Sequence, residues 1–175
     1  MTAVSLQAIT VLGHDRPGII AETTRVLADL GLNIEDSTMT LLRGHFAMML
    51  ISAGERSPDE VEQALSGLTA DGSLTVSVRE VPVEPEQTAL GTTYVLTVHG
   101  GDRAGIVSTL VGEVAGVGGN VTDLTTRLSG DLYVLAAEVD LPVDVDVEGL
   151  QASLRRAGDD LGVGVALRRM ESDDL

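Results

Sequence analysis

The sequence contains no cysteine, no tryptophan and no lysine, and its only aromatic residues are Phe46, Tyr94 and Tyr133. Without cysteine there can be no disulfide bond, thiolate nucleophile or cysteine-ligated metal site. With so few aromatic side chains, the chain also lacks the stacking platform on which proteins bind single-stranded nucleic acid. These absences exclude cysteine-based chemistry and argue against binding of single-stranded nucleic acid.

Positive charge is scarce as well. Eleven basic residues, all arginine, stand against 27 acidic ones, which gives a formal net charge of −16. A surface of this sign repels the phosphate backbone and anionic lipid, so we expect no direct binding to nucleic acid or membranes. No apolar run reaches the roughly 18 residues of a membrane span, and the N-terminus does not resemble a signal peptide. We therefore expect a cytoplasmic protein.

The common catalytic and metal-binding motifs are also missing. The chain has no GxSxG, HExxH, Walker or dinucleotide-binding pattern. The three histidines, His14, His45 and His99, form no HxH or HxxxH spacing, which argues against a metal site. We expect a protein that is not an enzyme and that carries no metal or cofactor.

The most informative feature that is present is an internal repeat. The run ITVLGHDRPGII from Ile9 returns as LTVHGGDRAGIV from Leu96, and the correspondence continues to Leu41 and Leu128 at a constant offset of 87 residues. Two copies are too few for a solenoid, so the repeat predicts two related modules. Any function proposed for the chain must explain why this segment is duplicated.

The first copy opens with a β-prone run that ends at Gly13. Helical spacing of apolar residues follows, and we predict Asp15 as the N-cap of this helix, with Pro17 in its first turn and Gly31 at its end. The segments 36–42 and 45–51 read as a hairpin joined by Arg43-Gly44. A second helix begins at a capping box formed by Ser57, Pro58 and Glu60. The last strand alternates between apolar and polar residues over 74–79.

The second copy repeats this order. Its hairpin is expected to be one residue shorter, because Gly130 lies 86 residues after Gly44. Each module is thus an α+β, ferredoxin-like βαββαβ unit with an antiparallel sheet and both helices on one face. The predicted organisation is a first module over 1–81, a linker over 82–91, a second module over 92–171 and an acidic tail over 172–175.

The GxDRPGI segment between strand and helix, followed by Gly31-Leu32-Asn33-Ile34, resembles the ACT domain, the small-molecule-sensing module of amino-acid metabolism. The doubled form is similar to the glycine cleavage system repressor-like proteins. This resemblance implies a regulatory protein that binds a small amino acid, with glycine or serine as candidates. It also implies action through another protein, such as a DNA-binding regulator. We expect a homodimer, because each sheet has a face that its own helices leave open.

The loop chemistry is compatible with such a role. Glycines allow close approach of backbone, and the first-turn N–H groups of a helix attract a carboxylate. Asn33, which we expect beside the loop, could accept a hydrogen bond from the ligand ammonium with its side-chain oxygen. The second site is expected to differ, because Pro17 becomes Ala104 and His14 becomes Gly101. The candidate ligand-binding residues are Gly13, His14, Asp15, Arg16, Pro17, Gly18, Ile19 and Asn33, with Gly100, Asp102, Arg103, Gly105, Ile106 and Asn120 in the second copy.

Each of these residues also has a purely structural explanation. The aspartates could cap helices, the glycines could serve turns, and the asparagines could satisfy backbone groups at strand entry. The alternative function is therefore an interaction or assembly module that binds no metabolite.

Overall fold

The computed structural model of the protein describes residues 5–83 and 91–171. The chain divides into two compact units, Met1–Pro85 and Glu86–Leu175. Most of the predicted linker, 82–91, and the whole predicted tail, 172–175, lie outside the described residues. The module boundaries therefore stay predictions.

Each unit contains four strands in the order β-α-β-β-α-β, with the second helical segment of the first unit broken in two. The first unit consists of β1 Ser5–His14, α1 Ile19–Asp29, β2 Asn33–Leu42, β3 His45–Gly54, α2 Pro58–Ala64, α3 Ser66–Thr69 and β4 Leu74–Val81. The second consists of β5 Gly91–Gly101, α4 Ile106–Gly116, β6 Asn120–Ser129, β7 Leu132–Pro142, α5 Val147–Leu161 and β8 Val163–Arg169.

The two sheets share one topology. Their strand orders are β2-β3-β1-β4 and β6-β7-β5-β8, and every neighbouring pair is antiparallel. The first and third strands of each unit lie in the middle of the sheet, while the second and fourth form its edges. This is the α+β architecture that the sequence predicts.

One face of each sheet is packed against helices. Along β3, Phe46, Met48 and Leu50 are buried, whereas Met49 between them is exposed. This period of two matches the alternation of side chains across a strand. Each unit has its own core, formed by sheet residues such as Ile9 and helix residues such as Leu27 in the first unit, and by a separate apolar cluster in the second.

The start of the first helix differs from the prediction. The N-cap is Gly18, at φ 90°, and no described side chain caps the helix. Asp15 does not act as the cap because its N–H donates to the Gly44 carbonyl at 3.0 Å, which fixes it in the preceding loop. The second unit repeats this arrangement with Gly105 at φ 93°, so Asp102 is not a cap either.

The hairpins also differ from the prediction, because they have equal length. Leu42 pairs with His45, and Ser129 pairs with Leu132, so each turn contains two residues and the offset of 87 is maintained. In the first turn Arg43 and Gly44 both have positive φ, the pattern of a type I′ turn. In the second turn the glycine, Gly130, comes first instead of second. The two turn glycines are therefore 86 residues apart although both loops have the same length.

The remaining helix ends follow their sequence signals. Ser57 and Glu60 form the predicted capping box of α2, and Asp146 accepts a hydrogen bond from the Gly149 N–H at 3.0 Å to cap α5. Gly31 ends α1 with φ 74°, and the Leu32 N–H donates to the Leu27 carbonyl at 2.9 Å, which is the Schellman pattern. In the described part of the chain, no helix has the length and apolarity needed to cross a membrane.

Candidate functional site

The loop between β1 and α1 is held by its neighbours at one end of the sheet. The His14 N–H donates to the Ser73 carbonyl at 3.0 Å, and Asp15 is bonded to Gly44 of the hairpin. Gly13, at φ 149°, lies so close to the chain that an added Cβ would be 2.1 Å from the Ser73 oxygen. Only glycine fits here, because backbone atoms of Ser73 and Leu74 occupy the place of a side chain.

Helix α1 presents an uncapped first turn at this loop. The Glu22 N–H bonds to the Gly18 carbonyl at 2.9 Å, so the N–H groups of residues 19–21 are the ones without a helical acceptor. Gly18 has open space where a Cβ would be, so its role is the left-handed φ rather than close approach. Helix α4 begins in the same way after Gly105. Both helices therefore offer backbone donors and the positive end of the helix dipole.

The two loop arginines have different partners. Arg16 lies 3.5 Å from the Glu22 carboxylate, whereas Arg103 donates to the Asp160 carbonyl at 3.4 Å. Asp71 lies at the same end of the first sheet, where hydrogen bonds from the Ser73 hydroxyl and backbone N–H lower the pKa of its carboxyl group, with a smaller contribution from Arg16. The loop is thus a mixed-charge surface in the first unit.

A pair of histidines belongs to this end of the first sheet. His14 and His45 are register partners on β1 and β3, with ring centroids 6.1 Å apart at an interplanar angle of 82°. No sequence motif marks this pair, because strand pairing and not sequence spacing brings the two residues together. Gly101 and Leu132 occupy the corresponding register in the second unit. Within the described residues, no group of three or more potential metal ligands occurs.

Asn33 does not lie beside the loop of its own unit. It pairs with Ala53 on β3, whereas His14 pairs with His45 at the other end of that strand. Eight residues at ~3.3 Å each separate these positions by about 26 Å. The cause is α1, which carries the chain back along the sheet before β2 begins. Asn120, the partner of Asp140 on β7, lies equally far from its own loop.

The Asn33 end of the sheet contains a depression of about 710 Å³. We call it the Asn33 depression; its lining residues are Leu30, Gly31, Asn33, Ala53, Gly54, Glu55 and Arg56. Arg56 donates from Nε to the Leu30 carbonyl at 3.3 Å and lies 3.6 Å from the Glu60 carboxylate. Arg56 was not among the predicted site residues. The signal that could have found it is the difference between the copies, since residues 142–146 contain no arginine.

Two fully buried polar side chains lie next to this region. Gln7 donates from Nε2 to the carbonyl of Arg56, and Ser52 is its register partner on β3. Among the described residues, no partner is found for Gln7 Oε1 or Ser52 Oγ. The equivalent register in the second unit pairs Tyr94 with Val139. The polar interior at this end is thus specific to the first unit.

Comparison with known proteins places these observations in a family. The family model described as ACT domain matches twice, over residues 7–79 and 92–168. The chain is 47% identical to a UPF0237 protein of Streptococcus mutans over 51 residues, which are 29% of this chain and 58% of that protein. It is 35% identical to a UPF0237 protein of Listeria monocytogenes over 74 residues, 41% of this chain and 83% of that protein.

Two crystal structures are similar in fold to this chain. A protein of unknown function from Galdieria sulphuraria is 24% identical, with a TM-score of 0.80 and coverage of 97% of this chain and 100% of that one. A protein described provisionally as a glycine cleavage system transcriptional repressor is 20% identical, with a TM-score of 0.71 and coverage of 97% and 99%. At these identities the likeness concerns the fold. ACT domains are regulatory modules that bind amino acids, and the two family matches cover most of both units, so this chain belongs to the ACT domain family, with one domain in each half.

Proposed function

We propose that the protein is a regulatory sensor of a small amino acid, with glycine and serine as the first candidates. The observation that carries this proposal is the repeated loop: two ACT domains in one chain each combine a strand-end glycine with a left-handed glycine N-cap and an uncapped helix. Gly13 and Gly18 have φ 149° and 90°, and Gly100 and Gly105 have 155° and 93°. Common ancestry explains the repeat, and a shared ligand would explain why both copies keep the left-handed glycine ahead of an uncapped helix.

The ligand carboxylate faces the first turn of α1 or α4 in this proposal. Backbone N–H groups donate to it, and the helix dipole adds ~0.3–1 kcal/mol. The proposed contacts in the first unit are Gly13, His14, Asp15, Arg16, Pro17, Gly18 and Ile19. Those in the second unit are Gly100, Asp102, Arg103, Gly105 and Ile106. Asn33 and Asn120 stay proposed ligand-binding residues, but each lies at the other end of its own sheet and so does not join the loop of its own unit.

A ligand of this size sets the scale of the response. With about five to seven heavy atoms, it binds with micromolar to millimolar affinity, which is suited to sensing metabolite pools. A coupling free energy of roughly 1–3 kcal/mol between ligand binding and partner binding would shift the partner's binding equilibrium without switching it fully. A net charge of −16 opposes contact with nucleic acid, so a role in transcription would run through a DNA-binding partner. We propose a homodimer in the cytoplasm that has no catalytic activity.

A thermal-shift screen of the twenty common amino acids tests the sensing role. A ligand that binds only the folded state stabilises it by ~2.7 kcal/mol at 100 times its dissociation constant. Ala21→Glu and Ser108→Glu place a competing carboxylate in the first turns of α1 and α4, so they should weaken binding without unfolding either helix. Ala115→Glu adds the same charge in the last turn of α4 and serves as the control. If no amino acid raises the unfolding midpoint, the sensing proposal is wrong.

The second candidate function, an assembly module without a ligand, is favoured by the open sheet face of the first unit. Leu12 is 49% exposed and Met49 is 45% exposed on this face. The second unit has Ala136 and Glu138 where the first has Met49 and Ile51. Sedimentation of a Met49→Glu variant tests this candidate. Loss of a wild-type oligomer would support it, and an unchanged molar mass would show that this face does not mediate assembly.

A further inference from the structure

A pair of histidines lies on neighbouring strands at the end of the first sheet that carries the β1–α1 loop. We infer that His14 and His45 together bind one divalent transition-metal ion, such as Zn²⁺ or Ni²⁺, through one ring nitrogen each. Water occupies the remaining coordination positions. This inference does not rest on the proposed function, because it requires neither an amino acid nor a second copy of the chain.

The backbone brings the two side chains as close as strand pairing allows. His14 and His45 are register partners. Just beyond them, the Asp15 N–H donates to the Gly44 carbonyl at 3.0 Å, whereas the His14 N–H donates at 3.0 Å to the Ser73 carbonyl, on the β4 side of β1. The histidines are therefore a non-hydrogen-bonded pair, in which Cα atoms lie only ~4.5 Å apart and side chains are closest. These backbone hydrogen bonds fix the pair without help from a metal.

Both side chains project from the face of the sheet that carries no helices. Val11 is buried on β1 and alternates with the residues of the open face, which include His14. On β3 the buried residue is Phe46, so His45 next to it also lies on the open face. Both histidines are exposed, and an ion can therefore reach them directly from solvent.

The two rings are close to the separation that one ion requires. Their centroids lie 6.1 Å apart, at an interplanar angle of 82°. Metal–nitrogen bonds of about 2.0–2.1 Å place the centroids of two imidazoles on one ion about 5 Å apart. Rotation about the exposed side-chain torsions supplies the remaining shift of about 1 Å. Binding thus needs a small movement of two side chains and none of the backbone.

The donor atoms determine the class of ion. Imidazole nitrogen suits Zn²⁺, Ni²⁺ and Cu²⁺, whereas Mg²⁺ and Ca²⁺ prefer oxygen ligands. No group of three or more potential ligands occurs in the part of the chain that the structure describes, so the described residues contribute two imidazoles and the ion remains exchangeable. Arg43 lies two residues from His45. Nitrogen donation therefore provides the binding, while the net charge of −16 attracts cations at longer range.

The second unit has no such pair. Gly101 and Leu132 occupy the corresponding register, so the shared fold does not require histidines at these positions. The third histidine of the chain is His99, whose register partner is Val134 and not another histidine. It therefore provides a matched control for the pair.

Titration calorimetry of the tag-free full chain with NiCl₂ tests the inference, and MgCl₂ is the control salt. We expect one Ni²⁺ per chain and no binding of Mg²⁺. His14→Gln and His45→Gln each remove one of two ligands, so either should raise the Ni²⁺ dissociation constant at least ~10-fold. The double variant should bind little worse than either single variant, because one imidazole alone cannot chelate. His99→Gln should change the constant less than about twofold.

A transplanted pair tests whether strand register is sufficient. Gly101→His with Leu132→His builds the pair in the second unit, in a His99→Gln background so that no third imidazole takes part. A Cβ added to Gly101 meets no atom within 4 Å, and Leu132 is 51% exposed, so both new side chains fit. The number of Ni²⁺ ions bound per chain should rise from one to two.

The outcomes distinguish a paired site from adventitious binding by single histidines. Equal losses of affinity in His14→Gln, His45→Gln and His99→Gln would mean that each histidine binds alone, and would overturn the site. An unchanged affinity in either variant of the pair would overturn it as well. Circular dichroism without metal should give the wild-type thermal midpoint for each variant, since the substituted residues are exposed. A transplanted chain that still binds one ion would overturn strand register as the basis of the site.

Discussion

Leu32 and Gly54 form a complementary pair that the second unit reverses. A Cβ added to Gly54 would lie 2.2 Å from Leu32 Cδ2. At the corresponding positions the second unit has Gly119 and Leu141, and a Cβ on Gly119 would lie 2.8 Å from Leu141 Cδ2. In each unit the side chain of one leucine fills the space next to one glycine. The leucine precedes the second strand of the first unit, whereas it lies on the third strand of the second unit. The two copies have therefore exchanged the residues while conserving the volume.

This exchange predicts strong coupling between the two positions. Gly54→Leu alone should destabilise the first unit by about 1–3 kcal/mol through overpacking, and Leu32→Gly alone by about 2–5 kcal/mol through a cavity. The double variant should recover part of the loss, with a coupling energy of roughly 0.5–3 kcal/mol. Urea unfolding of the four proteins measures it. Strictly additive losses would show that the two side chains do not share one space.

At the level of elements, we expect the capping box of α2 to stabilise the fold to an extent that depends on pH. The Ser57 N–H donates to Glu60 at 2.9 Å and its hydroxyl donates at 3.0 Å; these bonds, the backbone one first, lower the pKa of Glu60 below its ordinary value. A carboxylate with a lowered folded-state pKa stabilises the fold above its unfolded pKa, and this contribution is lost as pH falls through the folded pKa.

Ser57→Ala should therefore cost about 0.5–2 kcal/mol near neutral pH, and less once Glu60 is protonated. Urea unfolding at pH 7 and at pH 3 checks the difference. In a Glu60→Gln background the same substitution should lose most of its pH dependence, since no carboxylate remains to titrate. An equal loss at both pH values in the wild-type background would contradict the reciprocal hydrogen bonding.

The elements that the sequence predicted well are those fixed by local chemistry. Alternating apolar residues marked the strands, and the Ser57 capping box marked α2, because each signal acts over a few residues. The start of α1 was wrong, since Gly18 caps by conformation and gives no side-chain signal comparable to Asp15. The location of Asn33 was wrong for another reason. Eleven helical residues carry the chain ~16 Å back along the sheet, a consequence of topology that no motif expresses.

At the level of the whole molecule, negative charge far exceeds positive charge. The chain has 27 acidic residues and 11 arginines. Three ion pairs join described residues, each between side chains at least one third exposed. Exposed pairs of this kind stabilise a protein little, whereas a large net charge destabilises the compact state through self-repulsion.

Moderate salt should therefore stabilise the protein. Raising NaCl from about 10 mM to about 150 mM shortens the Debye length from ~30 Å to ~8 Å, which screens repulsion between distant carboxylates more than attraction within close pairs. We expect the thermal midpoint to rise by a few degrees over this range, as followed by circular dichroism. Arg79→Glu, which increases the negative charge, should enlarge the salt response. Because specific ion pairs weaken in salt, a falling midpoint would mean that they, and not repulsion, control the stability of this acidic chain.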